Sequence, residues 1–226
     1  MAKYSAFDIL GPIMIGPSSS HTAGAARLGK IAGIIGGTDI VEVQFLLHGS
    51  FAKTYKGHGT DKALVAGILG MDPWDDRLKD SLIIAKDKGL KVSFGEIDLG
   101  DVHPNTVKFA IKKKDGRMVS VVGSSIGGGS IVITEVDGEV VEFTGEYPTL
   151  IIKHKDIPGM VTKVTWLMYK ESINIAFMQV FRSSKGLSAT MLFETDTLVS
   201  EDIVEKIKNL GDITSIRVIS PITEGE

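Results

Sequence analysis

From Leu150 onward the chain alternates extended and helical signals in an order that leaves few folds open. Leu150 to His154 is an apolar, β-branched run that reads as a strand, and Gly159 to Glu171 reads as a helix entered just after Pro158. Ile173 to Arg182 and Ser188 to Glu194 read as two strands joined by a turn over Ser183 to Gly186. Ser200 to Asn209 is a helix with Ser200 at its N-cap, and Ile213 to Ile219 is the last strand. The order is βαββαβ, the split-βαβ arrangement of ferredoxin-like domains. Gly145-Glu146-Tyr147-Pro148 precedes it as a boundary, so the sequence predicts one domain over residues 1–146 and a second over 147–226.

The first domain reads as α+β, with helices early and antiparallel strands late. After a lead-in over Ser5 to Ile13, Gly16 to Thr22 is a loop, and Ala23 to Ile35 is a helix rich in Ala and Gly. Small residues lower helix propensity but let another backbone come close, which predicts tight packing of this helix. Ile40 to His48 is a strand, Thr60 to Gly70 a helix capped by Thr60, Asp76 to Lys88 a further helix, and Lys91 to Phe94 a strand. Asp115-Gly116 and Asp137-Gly138 each sit between alternating apolar runs and predict two hairpins.

Composition removes several classes of function. The formal net charge is −3, and the most basic run, Lys112 to Lys114, ends at a turn, so there is no field to attract nucleic acid or an anionic membrane. No apolar stretch is long enough to span a bilayer, and the first residues lack the pattern of a signal peptide. There is no cysteine among the 226 residues, so no disulfide and no thiolate for zinc or an iron–sulfur cluster. These features predict a cytoplasmic protein with no thiolate-held metal site of its own.

Chemistry-bearing residues gather in four places. Ser18-Ser19-Ser20-His21-Thr22 stands before a helix, whose free N–H groups and dipole favour an anion such as a carboxylate. The plainer alternative is a run of capping hydroxyls beside a surface histidine. Gly57-His58-Gly59-Thr60-Asp61 reads as a second Gly-rich loop entering a helix, or as a turn with an exposed histidine. His103-Pro104-Asn105 is held extended by its proline, and opens a strand in either reading. Gly123 to Ser130 can form a nest of N–H groups, or a flexible connection between strands; it matches neither a phosphate-binding loop nor a dinucleotide fingerprint. His48 and His154 read as structural, and no serine-hydrolase elbow is present.

These motifs, in this order, resemble iron–sulfur L-serine dehydratases. The strings Gly16-Pro17-Ser18-Ser19-Ser20-His21-Thr22, Gly57-His58-Gly59-Thr60-Asp61, His103-Pro104-Asn105 and Ser125-Ile126-Gly127-Gly128-Gly129 carry the resemblance, which points to the beta subunit of the two-subunit form. The second domain resembles ACT domains through Asp156-Ile157-Pro158-Gly159 and Asn174, and the first is similar to the allosteric substrate-binding domain of phosphoglycerate dehydrogenases. The resemblance implies conversion of L-serine to pyruvate and ammonia without pyridoxal phosphate. It implies a [4Fe–4S] cluster held by a separate alpha subunit. It implies catalytic roles for Ser18, His21, His58 and His103, and substrate contacts from Ser19, Ser20, Thr22, Gly127 and Gly128. It also implies effector contacts from Gly159 and Asn174 and homodimerisation through the ACT domain. Two other readings stay open: a stand-alone amino-acid-sensing module that controls a partner enzyme, and a metal enzyme built on His21, His58 and His103.

Overall fold

The computed structural model describes residues 18–222, so the lead-in over Ser5 to Ile13, Gly16-Pro17 and the last four residues lie outside the description. The chain divides into two compact units, residues up to Gly138 together with Ile222, and Glu139–Pro221.

The first unit begins with a wide helical turn, Ser20–Gly24, that runs straight into helix α1 (Ala25–Gly36). Strand β1 (Ile40–Leu47) follows, then helices α2 (Gly49–His58) and α3 (Thr60–Ile68), a 3₁₀ turn over Asp76–Asp80, helix α4 (Ser81–Asp87) and strand β2 (Lys91–Glu96). Strands β3 (Thr106–Lys113), β4 (Met118–Gly127) and β5 (Ser130–Val136) complete it. Within the unit the strand order is β2-β1-β3-β4-β5. β1 and β2 are parallel, as the helical crossover between them requires, and the remaining pairs are antiparallel.

Alternation sets which face is covered. Val43, Phe45 and Leu47 on β1 and Val107, Phe109 and Ile111 on β3 are fully buried at every second position. Phe45 lies opposite Phe109 in the register, with ring centroids 5.5 Å apart at 67°. Leu28 and Ile31 from α1 and Leu64 from α3 join the buried set. Truncating one of these phenylalanines to alanine costs about 3–5 kcal/mol by the usual measure of core deletions.

The tight packing expected of the small-residue helix is met by α3. A methyl group on Gly67 would overlap the carbonyl oxygen of Ala26 and lie 2.7 Å from the Cα of Gly29. One on Gly29 would overlap the carbonyl oxygen of Leu64 and lie 3.0 Å from the Cα of Gly67. The two helices therefore touch backbone to backbone, glycine against glycine, a separation no larger residue permits. Lys30 of α1 and Asp72, just past α3, add an ion pair at 2.5 Å.

Three sequence expectations change here. Gly57 and His58 are not in a loop but form the last turn of α2, a helix with no clear signal in the sequence. Gly59, at φ 70°, breaks α2 from α3 and holds the N-cap position expected of Thr60. Ser124 and Ser125 belong to β4, so the supposed loop from Gly123 to Ser130 shrinks to the turn Gly128-Gly129. Both turn residues have positive φ, 59° and 87°, the geometry that matches the twist of a two-residue hairpin.

The second unit contains β6 (Glu139–Phe143), β7 (Thr149–His154), α5 (Met160–Lys170), β8 (Ile175–Ser184), β9 (Ser188–Thr195), α6 (Glu201–Lys208) and β10 (Ile213–Ile219). The last four strands form an antiparallel sheet in the order β10-β7-β9-β8, so the predicted βαββαβ arrangement is present. Leu150, Ile152, Met191 and Phe193 of the sheet pack on Met160, Val164 and Met168 of α5 and on Ile203 and Ile207 of α6. On β6, Glu139 accepts from Lys153 and, at 2.8 Å, from the hydroxyl of Thr190.

The glycine contact yields a paired test. Gly67→Ala gains up to about 1 kcal/mol of helix propensity, but its methyl meets backbone that cannot rotate away, and overpacking of this kind costs about 1–3 kcal/mol. The clash wins, and we expect the melting temperature to fall by several degrees. Gly57→Ala, where no atom lies within 4 Å of the new methyl, is expected to hold or raise it. Thermal melts followed by circular dichroism decide; equal shifts for the two variants would show that the helices can move apart freely.

Candidate active site

The turn before α1 is wound wide. The N–H of Thr22 donates to the carbonyl of Ser18 at 3.0 Å, but the N–H of Gly24 reaches back five residues to Ser19 at 2.9 Å. Such π turns swell a helix locally and re-aim its side chains. The swelling is tolerated because Gly24 has no side chain: a methyl group there would overlap Ser125 Oγ on β4. Ser18, Ser19, Ser20 and His21 are left half-buried, and Thr22 is fully buried.

Helix α2 supplies the opposite wall. It starts at Gly49, φ 57°, pressed against Pro104, whose carbonyl accepts from Ser50 N–H at 2.8 Å and from Phe51 N–H at 3.4 Å. Ser50, Thr54 and His58 stand at four-residue intervals and so share one face, and that face meets His21. Thr54 Oγ1 lies 3.1 Å and Ser50 Oγ 3.4 Å from His21 Nε2. The His58 ring is 4.7 Å from the His21 ring, and Phe51 packs edge-on at 5.3 Å. On its other side His21 Nδ1 is 3.2 Å from Ser18 Oγ. Burial pushes the pKa of His21 below the usual 6.5, and the neighbouring His58 lowers it further.

The structure thus brings together Ser18, His21 and His58, two segments that lie far apart in sequence. His103 is exposed, with its Nδ1 accepting from the N–H of Asn105 at 3.1 Å, and no hydrogen bond or ring contact among the described residues joins it to His21. Its segment acts instead through Pro104, which anchors α2. Gly127 and Gly128 lie at the β4–β5 turn, and Arg27 of α1 donates to the carbonyl of Gly129 there at 3.0 Å. Several polar atoms on these same elements are buried without a partner among the described residues: Thr22 Oγ1, His58 Nδ1, Thr60 Oγ1, Asn105 Oδ1 and Ser125 Oγ. Buried polar groups in that condition call for a further partner, a ligand or water. Among the described residues no three His, Cys, Asp or Glu side chains converge on a metal position, so the three-histidine metal enzyme has no geometry behind it.

In the second unit, Gly159 sits at φ 87° at the start of α5. Asn174 is exposed and donates to Asp196 Oδ2 at 2.6 Å. Asp156 is already engaged by the N–H of Gly186 at 2.7 Å and by Arg182 at 3.0 Å. His48 caps the start of α2 and accepts from the N–H of Leu99 at 3.2 Å; His154 is buried and bonded to the carbonyl of Lys155. Each imidazole is thus engaged with a backbone group through its Nδ1, while His154 Nε2 is buried without a partner among the described residues.

Residues 5–81 match the serine dehydratase beta chain family, and residues 148–212 match the ACT domain family. The chain is 41% identical over 220 residues to the L-serine dehydratase beta chain of Peptoniphilus asaccharolyticus, covering 97% of this chain and 99% of that one. It belongs to the serine dehydratase beta chain family. A probable L-serine dehydratase beta chain of Bacillus subtilis is 42% identical over 219 residues, covering 96% and 99%. The D-3-phosphoglycerate dehydrogenase of Methanocaldococcus jannaschii is 31% identical over 202 residues, which are 87% of this chain but 37% of that enzyme. The similarity spans both units, and the expected fold class stands: an N-terminal α+β domain shared with these dehydrogenases, followed by an ACT domain. No helix among the described residues is long and apolar enough to cross a membrane.

Sequence reasoning missed Ser50 and Thr54. The signal was the four-residue spacing of Ser50, Thr54 and His58, which carries meaning only once the segment is known to be helical.

The two facing imidazoles, His21 and His58, give a pH prediction. His21 releases its proton below 6.5 in the folded chain, so on acidification the unfolded chain takes up a proton first. The stability held by neutral His21 is complete above 6.5 and is lost as the pH falls through the interval beneath it. In His58→Gln the repulsion is gone while burial remains, so the His21 titration, followed by its ring proton in NMR, is expected to move up toward 6.5. An unmoved titration would mean that burial alone sets it.

Proposed function

We propose that this chain is the beta subunit of an iron–sulfur L-serine dehydratase, working in the cytoplasm to convert L-serine to pyruvate and ammonia, and that Ser18, His21 and His58 form its wall of the active site. The single observation that carries the site assignment is the 3.2 Å contact of Ser18 Oγ with His21 Nδ1, in a chain 41% identical over nearly its whole length to a named L-serine dehydratase beta chain. A hydroxyl facing a neutral imidazole is an arrangement that accepts and returns protons near neutral pH.

A [4Fe–4S] cluster needs thiolate ligands, and this chain has no cysteine. Its residues do not fit that group, so the cluster belongs to an alpha subunit and no step of this chain runs through it. The tasks left to the beta chain are binding, orientation and proton handling. The hydroxyls of Ser19, Ser20 and Thr22 and the backbone N–H groups of Gly127 and Gly128 receive the carboxylate of L-serine. Ser18 gives its proton to His21 Nδ1 as its oxygen takes one from L-serine, so the proton is relayed to the ring and no alkoxide is left. The ring has a free lone pair because burial and His58 disfavour its charged form. His103 lies on the loop that anchors α2 and completes the wall from outside the hydrogen-bonded cluster.

The domain division that serves this reading is 1–146 for the catalytic domain and 147–226 for the ACT domain. Gly159 and Asn174 lie at the positions where the ACT domain would take an amino-acid effector, which then competes with Asp196 for the Asn174 amide. Pairing of two ACT domains makes the beta chain a dimer.

The experiment is co-expression with a cysteine-bearing alpha subunit and an anaerobic assay of pyruvate from L-serine. We expect turnover only with both chains, and a loss on the order of 10²- to 10⁴-fold in His21→Ala while the complex still assembles. Full turnover by the alpha subunit alone would overturn the reading and leave a regulatory module that senses an amino acid for its partner.

A further inference from the structure

We infer that Thr54 is a positioning residue for the reaction: it fixes His21 in the tautomer that carries its proton on Nε2, so that Nδ1 faces Ser18 as the proton acceptor. This rests on the active-site reading above and adds to it a residue that neither the motifs nor the family resemblance singled out.

The assignment follows from a count of protons. The hydroxyl of Thr54 has one hydrogen. It is given to the carbonyl oxygen of Ser50, one helical turn back, at 2.7 Å, a bond that threonine makes readily inside a helix. Toward His21 Nε2, 3.1 Å away, Thr54 Oγ1 can then only accept, and Nε2 must bring the hydrogen. A neutral imidazole carries one N–H, so the lone pair falls on Nδ1. Ser18 Oγ, 3.2 Å from Nδ1, becomes the donor. The chain of bonds runs in one direction: Ser18 O–H to Nδ1, Nε2–H to Thr54 Oγ1, Thr54 O–H to the Ser50 carbonyl. In the opposite tautomer two lone pairs, on Nε2 and on Thr54 Oγ1, would face each other at 3.1 Å, unless Thr54 gave up its bond to Ser50.

Ser50 Oγ cannot do the same work. At 3.4 Å from Nε2 its hydroxyl has no second fixed partner among the described residues, so it can accept or donate and serves either tautomer. His58 does not choose between them either, since it meets His21 ring to ring. Direction enters the network through Thr54 alone among these neighbours. The hydroxyl it offers is held by a β-branched side chain on a helix, where rotation is restricted.

The test uses the full beta chain labelled with ¹⁵N-histidine, at a pH above 6.5. Long-range ¹H–¹⁵N correlations distinguish a protonated from an unprotonated ring nitrogen. We expect His21 in the unaltered chain to show Nε2–H and an unprotonated Nδ1. Thr54→Val keeps the shape and removes the acceptor, and is expected to shift His21 to a mixture of tautomers; Thr54→Ser is expected to restore the original. Finding Nδ1–H in the unaltered chain overturns the inference before any variant is made, as does a Thr54→Val spectrum unchanged from the original.

Turnover in the reconstituted two-subunit enzyme separates this inference from the one beneath it. Partners that orient metal-bound histidines cost about 10- to 100-fold when lost, and an orienting hydroxyl on His21 is taken on the same scale. We expect that loss in kcat for Thr54→Val, little change in KM for L-serine, and recovery in Thr54→Ser. A tautomer that moves as expected with turnover untouched would uphold the role of Thr54 and overturn the placement of His21 in the reaction.

Discussion

The contact on which the site depends is made far from any reactive group, where Gly29 of α1 and Gly67 of α3 touch backbone to backbone. α1 carries the wide turn with Ser18 and His21 at its start. α3 is joined to α2, the bearer of Ser50, Thr54 and His58, by the single left-handed residue Gly59. Fixing α1 against α3 therefore fixes His21 against the α2 face. Hydrogen bonds of 3.1 and 3.2 Å on opposite sides of one ring leave tenths of an ångström for error, and a helix pair spread by one methyl group would exceed it. The glycines cost helix propensity, and the close approach offsets that cost by holding a long-range site on rigid elements. Pro104 does the same service at the other end of α2, with its carbonyl bonded to the first N–H groups of the helix.

Electrostatics follow from the same closeness. Two imidazoles with centroids 4.7 Å apart cannot both hold a proton without mutual repulsion, and burial opposes the charge on His21 first of all. A histidine kept neutral is a proton acceptor in waiting, whereas one salt-bridged to a carboxylate would be held charged. The ring partners of His21 are hydroxyls. Ser18, Ser50 and Thr54 satisfy the ring's polar atoms without bringing a charge.

Much of this fold is legible in the sequence because periodicity survives tertiary context. Ile213 to Ile219 reads as a strand from its pattern and is β10 to the residue. The predicted hairpin turns at Asp115-Gly116 and Asp137-Gly138 carry φ > 0 residues of the kind hairpins need, at Gly116, Asp137 and Gly138. Helix α2 is not legible, since Gly49, Ser50, Thr54, Tyr55 and Gly57 are weak helix formers. It stands because Phe51 is buried and the Pro104 carbonyl receives its first N–H groups, both long-range effects. Ser124 and Ser125 look like loop residues by composition, yet β3 holds them in a strand, with Thr106 Oγ1 2.7 Å from Ser124 Oγ. The site divides in the same way: Ser18 and His21 stand out in a local run, while Thr54 gains its meaning only from a ring 33 residues away.

The finished geometry of the His21 network contrasts with its incomplete cover. The ring's hydrogen bonds are satisfied on both nitrogens, but Ser18, Ser19, Ser20, His21 and His58 all remain half-buried. Water beside them weakens each electrostatic interaction in the cluster, because the local dielectric stays high. A second protein surface laid over this wall would strip that water, hold His21 neutral more firmly and strengthen the bond from Ser18. This chain then contributes an ordered polar wall, and a surface laid over it would contribute the desolvation that makes the wall effective. Polar groups that order one another in this way need little reorganisation when charge develops beside them.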